Sequence, residues 1–298
     1  MLISGCSGLL GQKLVVLAAQ NHTVYGFGLR ERSPVQELLR QYMRLDLRHR
    51  PNVMETVQSL RPEWVINTAA WTDVDACERE PQRAFEVNVE GLRNLTEGCV
   101  GCGARFVQLS TNYVFDGTSS PYNEEDTVNP VNVYGQTKVE SERLLQESKL
   151  DSIIIRTVLL YGSVPETKSN FVNWVCSNLE SGERIRAATD LYCNPTLIDD
   201  LAHGILIAVE KGATGLFHMA GNEGVSRYDF AVKIAKAFEF DSALITPVSL
   251  DELKLKAPRP LRAELKADKA KDELGLTFRS VEDGLDLLME QMKNRRRE

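Results

Sequence analysis

The 298-residue sequence lacks a net positive charge, internal repeats and low-complexity tracts. Its 42 Asp and Glu residues outnumber its 35 Lys and Arg residues and leave a formal net charge of −7, which argues against nucleic acid or an anionic membrane as the main partner. Without repeats, the sequence does not fit a solenoid or an array. A chain of this length has room for one large α/β unit or two smaller domains, with an ample core.

The sequence also lacks the features of a signal peptide. Its first segment, MLISGCSGLLGQKLVVLAAQ, is apolar, but it has no charged start and is interrupted by Gly5, Gly8 and Gly11. We therefore expect a cytoplasmic protein.

The six cysteines do not form the pattern of a disulfide framework or of a zinc site. They are scattered through a chain without a secretory signal, so disulfides are not expected. Cys99 and Cys102 form a lone Cys-x-x-Cys, with no second pair and no nearby His to complete a zinc site. We assign this pair no chemistry.

What the sequence does contain is a regular alternation of strand and helix patterns. Short apolar runs rich in β-branched residues are separated by helical patterns such as LGQKLVVLAA and NVMETVQSL. Because such alternation implies right-handed βαβ crossovers, it predicts an α/β fold with a doubly wound parallel Rossmann sheet. The predicted strands are MLIS, TVYGF, MRLDL, WVINTA, RFVQLS and SIIIRTVLLYG.

The pattern loosens after residue 162, where helical segments alternate with short strands and loops that contain proline. The helical segments there are NFVNWVCSNLE, LIDDLAHGILIAVEK and RYDFAVKIAKAFEF. We therefore predict a Rossmann domain in residues 1–162, to which the chain returns around 190–212. Residues 163–298 are predicted to form mainly a smaller C-terminal cap that binds the substrate.

A glycine-rich turn follows the first predicted strand. The segment SGCSGLLGQ has the spacing Gly-x-x-Gly-x-x-Gly and opens the first amphipathic helix. Glycines permit a tight turn there, and the N–H groups of the helix can hold a pyrophosphate. A purely structural turn is the alternative, but the position between strand and helix favours a dinucleotide site. The residues expected to contact the cofactor are Gly5, Ser7, Gly8, Leu9, Leu10 and Gly11.

The loop after the second predicted strand indicates which dinucleotide binds. An NAD site usually has an acidic residue there for the ribose hydroxyls, whereas a 2′-phosphate favours Arg. In VYGFGLRER, Gly28 stands where an acid is expected, and Arg30 and Arg32 follow it. NADPH is therefore favoured, NADH stays open, and solvated loop arginines are the alternative. With this assignment, residues 1–162 are the predicted NADP-binding domain.

Two further strand ends are expected to line the cofactor. Asp46 and Leu47, at the end of the third predicted strand, would flank the adenine. Ala69, Ala70 and Trp71, at the end of the fourth, would lie along the cofactor, because small residues let the backbone approach it closely.

Several polar residues have more than one interpretation. Asn88, in FEVNVEG, could order the backbone of an active site, or it could be a capping or core residue with satisfied hydrogen bonds. His49, His203 and His218 have no partner pattern, so we interpret them as structural or exposed.

A Tyr and a Lys stand four positions apart in VYGQTKVESE, at the start of a predicted helix. Residues at this spacing share a helix face, but exposed pairs of Tyr and Lys are common and inert. The upstream segment RFVQLSTNYVFDG is more informative. It places Ser110 and Thr111 at the carboxyl end of the fifth predicted strand, which is the edge where parallel sheets bind ligands.

A hydroxyl at a strand end followed by Tyr-x-x-x-Lys resembles the extended short-chain dehydrogenase/reductase superfamily. The resemblance implies that Lys138 lies beside the Tyr134 phenol and the nicotinamide ribose, so both residues would contact the cofactor. It also implies that Lys138 lowers the pKa of Tyr134 from about 10 toward neutrality, so that the phenol can exchange a proton during hydride transfer. Thr111 would polarise the substrate carbonyl. Thr111, Tyr134 and Lys138 are then the expected catalytic residues.

More specifically, the chain is similar nearly end to end to the dTDP-4-dehydrorhamnose reductase family. That resemblance implies a nucleotide-sugar substrate, a 4-keto-6-deoxyhexose that NADPH or NADH reduces by hydride transfer to C4, with Tyr134 as the proton donor. The matching segments are GCSGLLGQ, VINTAAWTDVDACEREP, LSTNYVFDGTSSPYNEED, PVNVYGQTKVESE, NPTLIDDLA, GLFHMAG and RPLRAEL.

Three departures from that family concern the sugar and a metal. Asn112 replaces the Asp of Ser-Thr-Asp-Tyr, and Leu159 in RTVLLYG stands where Trp tends to form an aromatic wall for the sugar. An acidic residue that some members use in a metal-bridged dimer is not evident beside Gln12, so we predict no required metal and leave a homodimer open. The resemblance places Thr111, Asn112, Leu159 and Asn170 at the sugar.

The departures at Leu159 and beside Gln12 also fit a relative of another functional class, the regulatory β subunit of methionine adenosyltransferase. That protein shares the fold and the YVFDG stretch, binds NADP and acts by contacting a catalytic partner. The complete set of Thr, Tyr and Lys favours an enzyme. A 4,6-dehydratase is disfavoured because Asn112 and Tyr113 replace the Asp-Glu pair that removes water, and an epimerase stays open.

Overall fold

The structure is a computed structural model that describes residues 1–166 and 170–295. Its centre is a seven-stranded sheet in which every pairing is parallel, so the predicted α/β class is confirmed. The strands of the described residues are β1 (Leu2–Ser4), β2 (Tyr25–Gly28), β3 (Gln41–Arg44), β4 (Trp64–Asn67), β5 (Arg105–Thr111), β6 (Ser152–Thr157), β7 (Leu160–Tyr161), β8 (Ile185–Ala188), β9 (Tyr192–Cys193), β10 (Thr196–Leu197), β11 (Gly215–His218), β12 (Val225–Ser226) and β13 (Ile245–Val248).

The spatial order of the sheet is β11-β6-β5-β4-β1-β2-β3. The order reverses at β1, because the chain runs outward from β1 to β3 and then crosses to β4 on the other side. In open parallel sheets, ligands bind in the crevice outside the carboxyl ends of the strands at such a reversal. Short strands outside the sheet pair as β7 with β10, β8 with β13, and β9 with β12.

Helices cover both faces of the sheet. α1 and α8 pack on one face around Leu14 and Ile205, and α2, α5 and α6 pack on the other around Val57, Leu95 and Leu145. Between α4 and α5 lies a π-helical segment, Glu86–Glu90. The α-helices of the described residues are α1 (Leu9–Ala18), α2 (Arg50–Leu60), α3 (Val74–Arg79), α4 (Pro81–Phe85), α5 (Gly91–Cys102), α6 (Val133–Glu147), α7 (Phe171–Glu180), α8 (Ile198–Glu210), α9 (Arg227–Ala237), α10 (Asp268–Leu274) and α11 (Val281–Arg295).

The predicted and observed strand ends differ most at three places. β3 ends at Arg44, so Asp46 and Leu47 follow the strand instead of ending it. β3 is an edge strand in which no residue is fully buried, whereas the Leu47 side chain packs in the core with α2 and α5. β4 ends at Asn67, so residues 69–71 form the loop after it. The run SIIIRTVLLYG divides into β6 and β7, because the chain leaves the sheet after Thr157 and the Leu159 carbonyl then accepts a hydrogen bond from Thr196 N–H at 3.1 Å.

The second half of the chain contributes to the sheet and to a separate core. β11 pairs with β6 at the edge of the sheet, and α8 and α10 pack beside it. A further cluster around Val172, Phe230 and Leu285 joins α7, α9 and α11. The division into an NADP-binding domain and a substrate-binding region stays a prediction.

Two general features concern the described residues as a whole. All six cysteines lie among them and are free thiols, and Cys99 is fully buried. Across residues 1–166 and 170–295, no helix combines the length and apolar character needed to cross a membrane.

Candidate active site

The glycine-rich turn forms a cradle at the start of α1. Gly5 has a φ of +67° and donates its N–H to the Phe27 carbonyl at 2.9 Å, and Gly8 N–H donates to the Gly5 carbonyl at 2.8 Å. A Cβ on Gly11 would collide with the Gly5 carbonyl, so the helix meets the turn backbone to backbone. Gly8 caps α1 without a side-chain hydrogen bond. No side chain therefore caps the N–H groups of the first helical turn, and uncapped N–H groups at a helix start can hold a pyrophosphate.

Arg30 lies just beyond β2 and is bound by a distant part of the chain. Its Nη1 is 3.3 Å from the Glu166 carboxylate, and its Nη2 donates to the Glu166 backbone carbonyl. The Tyr42 hydroxyl donates to the Arg30 carbonyl at 2.7 Å and fixes the backbone there. The predicted contact of Arg30 with a 2′-phosphate stays a prediction, and the guanidinium has a carboxylate partner in this structure.

Asp46 and Leu47 have different environments. The Asp46 carboxylate accepts hydrogen bonds from Arg48, with Nη2 at 2.6 Å, and these bonds hold the pKa of Asp46 below its usual value. The Leu47 side chain is buried, and its carbonyl accepts a hydrogen bond from Asn94 Nδ2 at 2.8 Å. A cavity of about 480 Å³ borders Asp46 and Arg48. The adenine position beside Asp46 and Leu47 stays a prediction.

The loop after β4 approaches the glycine-rich turn closely. A Cβ on Gly5 would lie 2.8 Å from the Ala69 nitrogen, so the two backbones touch. Ala69, Ala70 and Trp71 are all half-buried. This arrangement fits a loop that lines the cofactor, which stays a prediction for these three residues.

Asn88 orders that loop. Its Oδ1 accepts the Trp71 N–H at 2.8 Å, and its Nδ2 donates to the Trp71 carbonyl at 3.1 Å and to Thr137 Oγ1 at 3.0 Å. Asn88 is buried in the π-helical segment, a distortion that is frequent at functional sites. Both interpretations of Asn88 therefore describe the same contacts. The side chain is buried with its hydrogen bonds satisfied, and these bonds join the loop after β4 to α6.

Thr111 is the last residue of β5, as predicted. It is buried, and its Oγ1 accepts the Tyr113 N–H at 3.2 Å, which caps the short turn that follows the strand. This bond fixes the Thr111 hydroxyl at the carboxyl edge of the sheet.

The start of α6 packs directly on that turn. Asn132 caps the helix, since its Oδ1 accepts the Gly135 N–H at 2.8 Å. A Cβ on Gly135 would collide with the Tyr113 carbonyl, so only glycine permits the approach. The Tyr134 ring lies edge-on to Tyr113, with ring centroids 6.2 Å apart, and belongs to a small apolar cluster that Trp71 borders. The loop after β4, the end of β5 and the start of α6 thus meet at one point.

The electrostatics of Tyr134 differ from those that the resemblance implied. Burial raises the pKa of the phenol, and the Thr111 hydroxyl beside it only partly opposes the rise. The expected lowering is absent because removing the phenolate from water outweighs the favourable contacts within the described residues. At neutral pH the phenol is therefore protonated, which is the form that can donate a proton.

Lys138 is also buried, with 2% of its surface exposed. Burial lowers the pKa of its ammonium to about 8, and Glu142 opposes that change. The side chain is therefore mainly charged at pH 7. It stands one turn of α6 beyond Tyr134, as the spacing predicted.

Glu142 was not predicted as part of this region. Its carboxylate accepts hydrogen bonds from Arg156 Nε at 3.0 Å and Nη2 at 2.7 Å, and from the Ser110 hydroxyl. Tyr134, Lys138 and Glu142 follow one another at intervals of four residues on α6, and all three are buried. That spacing is visible in VYGQTKVESE and could have identified Glu142 as part of the same helix face.

Asn112 joins the end of β5 to a distant segment. Its Nδ2 donates to the Ala263 carbonyl at 2.9 Å, and its Oδ1 is 3.3 Å from Thr111 Oγ1. Ala263 belongs to the RPLRAEL segment. An ionised Asp has no donor for the Ala263 carbonyl, which gives a physical reason for Asn at this position.

Leu159 and Asn170 have structural contacts of their own. Leu159 is half-buried and packs against two of the apolar clusters. Asn170 caps α7, with its Oδ1 accepting the Asn173 N–H at 3.1 Å and its Nδ2 donating to the Gly162 carbonyl at 2.8 Å. Their contacts with a sugar stay a prediction.

The three histidines considered in the sequence differ in exposure, and none belongs to a group of metal-binding side chains in the described residues. His49 and His203 are exposed, whereas His218 is buried and its pKa is lowered to about 3 by burial and by Arg156. In the described part of the chain, no group of three or more His, Cys, Asp or Glu side chains could hold a metal ion.

Comparison with known proteins places the chain in a family. Residues 1–294 match the family described as RmlD substrate binding domain. The chain is 32% identical over 287 residues to the probable low-salt glycan biosynthesis reductase Agl14 of Haloferax volcanii, with 95% of each chain covered. It is 32% identical over 274 residues to methionine adenosyltransferase 2 subunit beta of Bos taurus, with 89% of this chain and 79% of that protein covered.

A solved structure agrees with these matches. The crystal structure of dTDP-4-dehydrorhamnose reductase from Bacillus anthracis in complex with NADP has a TM-score of 0.88 and 29% identity, and the alignment covers 97% of this chain and 98% of that one. The predicted resemblances to this reductase and to the β subunit of methionine adenosyltransferase are both confirmed. By sequence match and by fold, the chain belongs to the RmlD substrate binding domain family.

Proposed function

We propose that the protein is an NADPH-dependent reductase of a nucleotide-linked 4-keto-6-deoxy sugar. The observation that carries the proposal is the burial of Thr111, Tyr134 and Lys138 where the end of β5 meets the start of α6. This point lies at the carboxyl edge of the sheet, next to the loop that touches the glycine-rich turn. The relatives that are named reductases support the reaction class.

The chain's own groups suit the binding of a dinucleotide phosphate. The glycine-rich turn would hold the pyrophosphate at the start of α1, and Arg30 would contact a 2′-phosphate. The solved reductase with NADP supports this choice of cofactor. When bound, NADPH would supply the hydride that the sugar carbonyl carbon receives.

In the proposed reaction, Tyr134 and Thr111 act on the carbonyl oxygen of the sugar. As C4 receives the hydride, negative charge develops on O4, and the protonated Tyr134 phenol donates its proton there to give the alcohol. The Thr111 hydroxyl donates a hydrogen bond to the same oxygen and stabilises its charge. Tyr134 is left as a phenolate and regains a proton from solvent after product release.

Lys138 has the proposed task of stabilising that phenolate. Its charge lies on the same helix face as the phenol, inside a buried site where a charge interacts strongly. Glu142 favours the charged form of Lys138. The Glu142 carboxylate also accepts hydrogen bonds from Arg156, and these bonds keep it from turning toward the reacting sugar.

Asn112, Leu159 and Asn170 are the proposed sugar-facing residues. Asn112 has no negative charge, and Leu159 offers an aliphatic surface instead of an aromatic one. We therefore propose that the enzyme prefers a sugar other than the rhamnose precursor.

The direct test is an assay of NADPH oxidation. Purified protein is mixed with NADPH and an enzymatically made dTDP-4-keto-6-deoxy sugar, and absorbance at the nicotinamide band is followed. We expect a decrease that depends on both the sugar and the protein. A second nucleotide-linked keto sugar tests the preference. A protein that binds NADPH but oxidises it with none of these sugars contradicts the proposal.

A regulatory subunit is the second candidate function, favoured by the 32% identity to methionine adenosyltransferase 2 subunit beta. Such a protein would bind NADPH without turning it over and would associate with a methionine adenosyltransferase. Size-exclusion chromatography of the two purified proteins, with and without NADPH, tests this candidate. Co-elution together with no oxidation of NADPH would favour it over the reductase.

A further inference from the structure

The segment 163–166, which follows β7, lies against the proposed cofactor site. The Pro165 carbonyl accepts a hydrogen bond from Gln12 Nε2 at 2.9 Å, and the same nitrogen donates to the Ser7 carbonyl at 3.1 Å. Gln12 is fully buried in α1, and Ser7 belongs to the glycine-rich turn. One buried amide therefore joins this segment to the cradle that would hold the pyrophosphate.

The next residue, Glu166, continues the contact onto Arg30. The guanidinium meets both the Glu166 carboxylate, at 3.3 Å from Nη1, and the Glu166 carbonyl. Glu166 has a φ of +49°, in the left-handed region that non-glycine residues seldom adopt. Such a conformation costs free energy and persists where surrounding contacts hold it, and Arg30 contacts both the carbonyl and the carboxylate of Glu166.

We infer that Glu166 is a specificity-determining residue of the cofactor site, which competes with the 2′-phosphate of NADPH for Arg30. The inference rests on the proposed function, because it takes Arg30 as the 2′-phosphate ligand. The inference adds Glu166 to the proposed cofactor site. This residue lies far from the second strand in sequence and sets how strongly the protein distinguishes NADPH from NADH.

The competition follows from the charges of the groups. A 2′-phosphate carries between one and two negative charges near neutral pH and needs the same Arg30 N–H groups that Glu166 occupies. Phosphate and carboxylate at one guanidinium repel each other, so NADPH has to displace Glu166. The 2′-hydroxyl of NADH carries no charge and can donate to a carboxylate that stays in place.

The ion pair between Arg30 and Glu166 is exposed enough for a bound phosphate to displace it. The Glu166 side chain is 74% exposed and that of Arg30 is 38% exposed, so the ion pair is well solvated. Exposed pairs of this kind contribute about 0.2–1 kcal/mol, which corresponds to a change of about 1.4- to fivefold in an equilibrium constant. Glu166 therefore tunes the preference for NADPH and does not prevent its binding.

The test compares dissociation constants of NADPH and NADH for the full chain by calorimetry at fixed low ionic strength. In Glu166→Gln we expect NADPH to bind about 1.4- to fivefold tighter and NADH to bind no tighter. The matched control is Glu31→Gln. Glu31 is the sequence neighbour of Arg30 but pairs with Arg44, so its neutralisation removes an equal charge without freeing Arg30.

A double variant isolates the contact. In an Arg30→Ala background, Glu166→Gln should no longer change the affinity for NADPH, because the shared partner is gone. An equal gain in Glu31→Gln, or an unchanged NADPH affinity in Glu166→Gln, overturns the inference while the wild-type protein still binds NADPH. If the wild-type protein binds neither cofactor, the proposed function and this inference fall together.

Discussion

The Asn112 side chain donates a hydrogen bond to the Ala263 carbonyl at 2.9 Å, and this bond links two segments that are 151 residues apart. It holds the end of β5, with Thr111, against the RPLRAEL segment. Asn132 makes a similar link, since its Nδ2 donates to the Pro258 carbonyl at 2.9 Å. Side-chain amides from the residue after β5 and the residue before α6 thus both bind the backbone of segment 258–263, which fixes the ends of the two elements that carry the proposed catalytic residues.

Replacing Asn112 by Asp tests the meaning of that bond. Asn112→Asp removes the donor and places a carboxylate against the Ala263 carbonyl, so we expect the free energy of unfolding to fall by about 1–3 kcal/mol. We also expect an altered sugar preference without a gain on the rhamnose precursor. Urea denaturation and the NADPH assay with two sugars measure the two effects. A tenfold or greater rise in activity on the rhamnose precursor, about 1.4 kcal/mol of transition-state stabilisation, would contradict this account.

Arg30 is expected to distinguish the two cofactors. Arg30→Ala should weaken NADPH binding by about 1–3 kcal/mol, because a charge-assisted contact with the 2′-phosphate is lost, and should leave NADH nearly unchanged. Arg32→Ala is the matched control, since Arg32 is an exposed arginine of the same loop. Calorimetry with both cofactors provides the measurement. Equal losses of affinity for NADPH and NADH, or an equal loss in Arg32→Ala, would show that Arg30 acts only through the overall charge of the loop.

Lys138 gives the protein a pH-dependent stability. Burial lowers its pKa from 10.5 to about 8, so between these values the unfolded chain binds more protons than the folded one. The free energy of unfolding therefore rises with pH across that window, and below about pH 8 the folded state keeps the full penalty of a buried charge.

The comparison of wild type with Lys138→Met measures this penalty. The difference in unfolding free energy should shift in favour of the wild type as the pH rises from about 8 to 10.5. The shift should be about 3 kcal/mol at most, since a tenfold change in an ionisation constant corresponds to about 1.4 kcal/mol. Denaturant titrations at several pH values measure it. Parallel pH profiles of the unfolding free energy for the two proteins would show that folding does not lower the pKa of Lys138.

The fold was predictable where local patterns carry the information. The six predicted strands all enter the structure, because apolar β-branched runs between helical patterns mark buried parallel strands. β11 was not predicted as a sheet strand. Its residues, Gly215–His218, are short and follow a helix in the half assigned to the cap, and the sequence does not reveal that they pair with Ile153 to Arg156.

The candidate site was also predictable where local motifs form it and not where distant segments meet. The glycine-rich turn and the pair Tyr134 and Lys138 are local motifs with a recognisable spacing. The contacts of Asn112 with Ala263 and of Arg30 with Glu166 join residues 151 and 136 positions apart, so no spacing indicates them. The pKa of Tyr134 was predicted in the wrong direction, because the burial of a side chain depends on the packing of several elements.

The central claim is that Tyr134 donates the proton in a reductase, and a Tyr134→Phe variant tests it most directly. Phe keeps the ring that lies edge-on to Tyr113 in the apolar cluster bordered by Trp71, so NADPH affinity should change little. Turnover, followed as NADPH oxidation with a nucleotide-linked 4-keto-6-deoxy sugar, should fall by about two to four orders of magnitude, because general acid catalysis is lost. Near-native turnover in Tyr134→Phe would contradict the account.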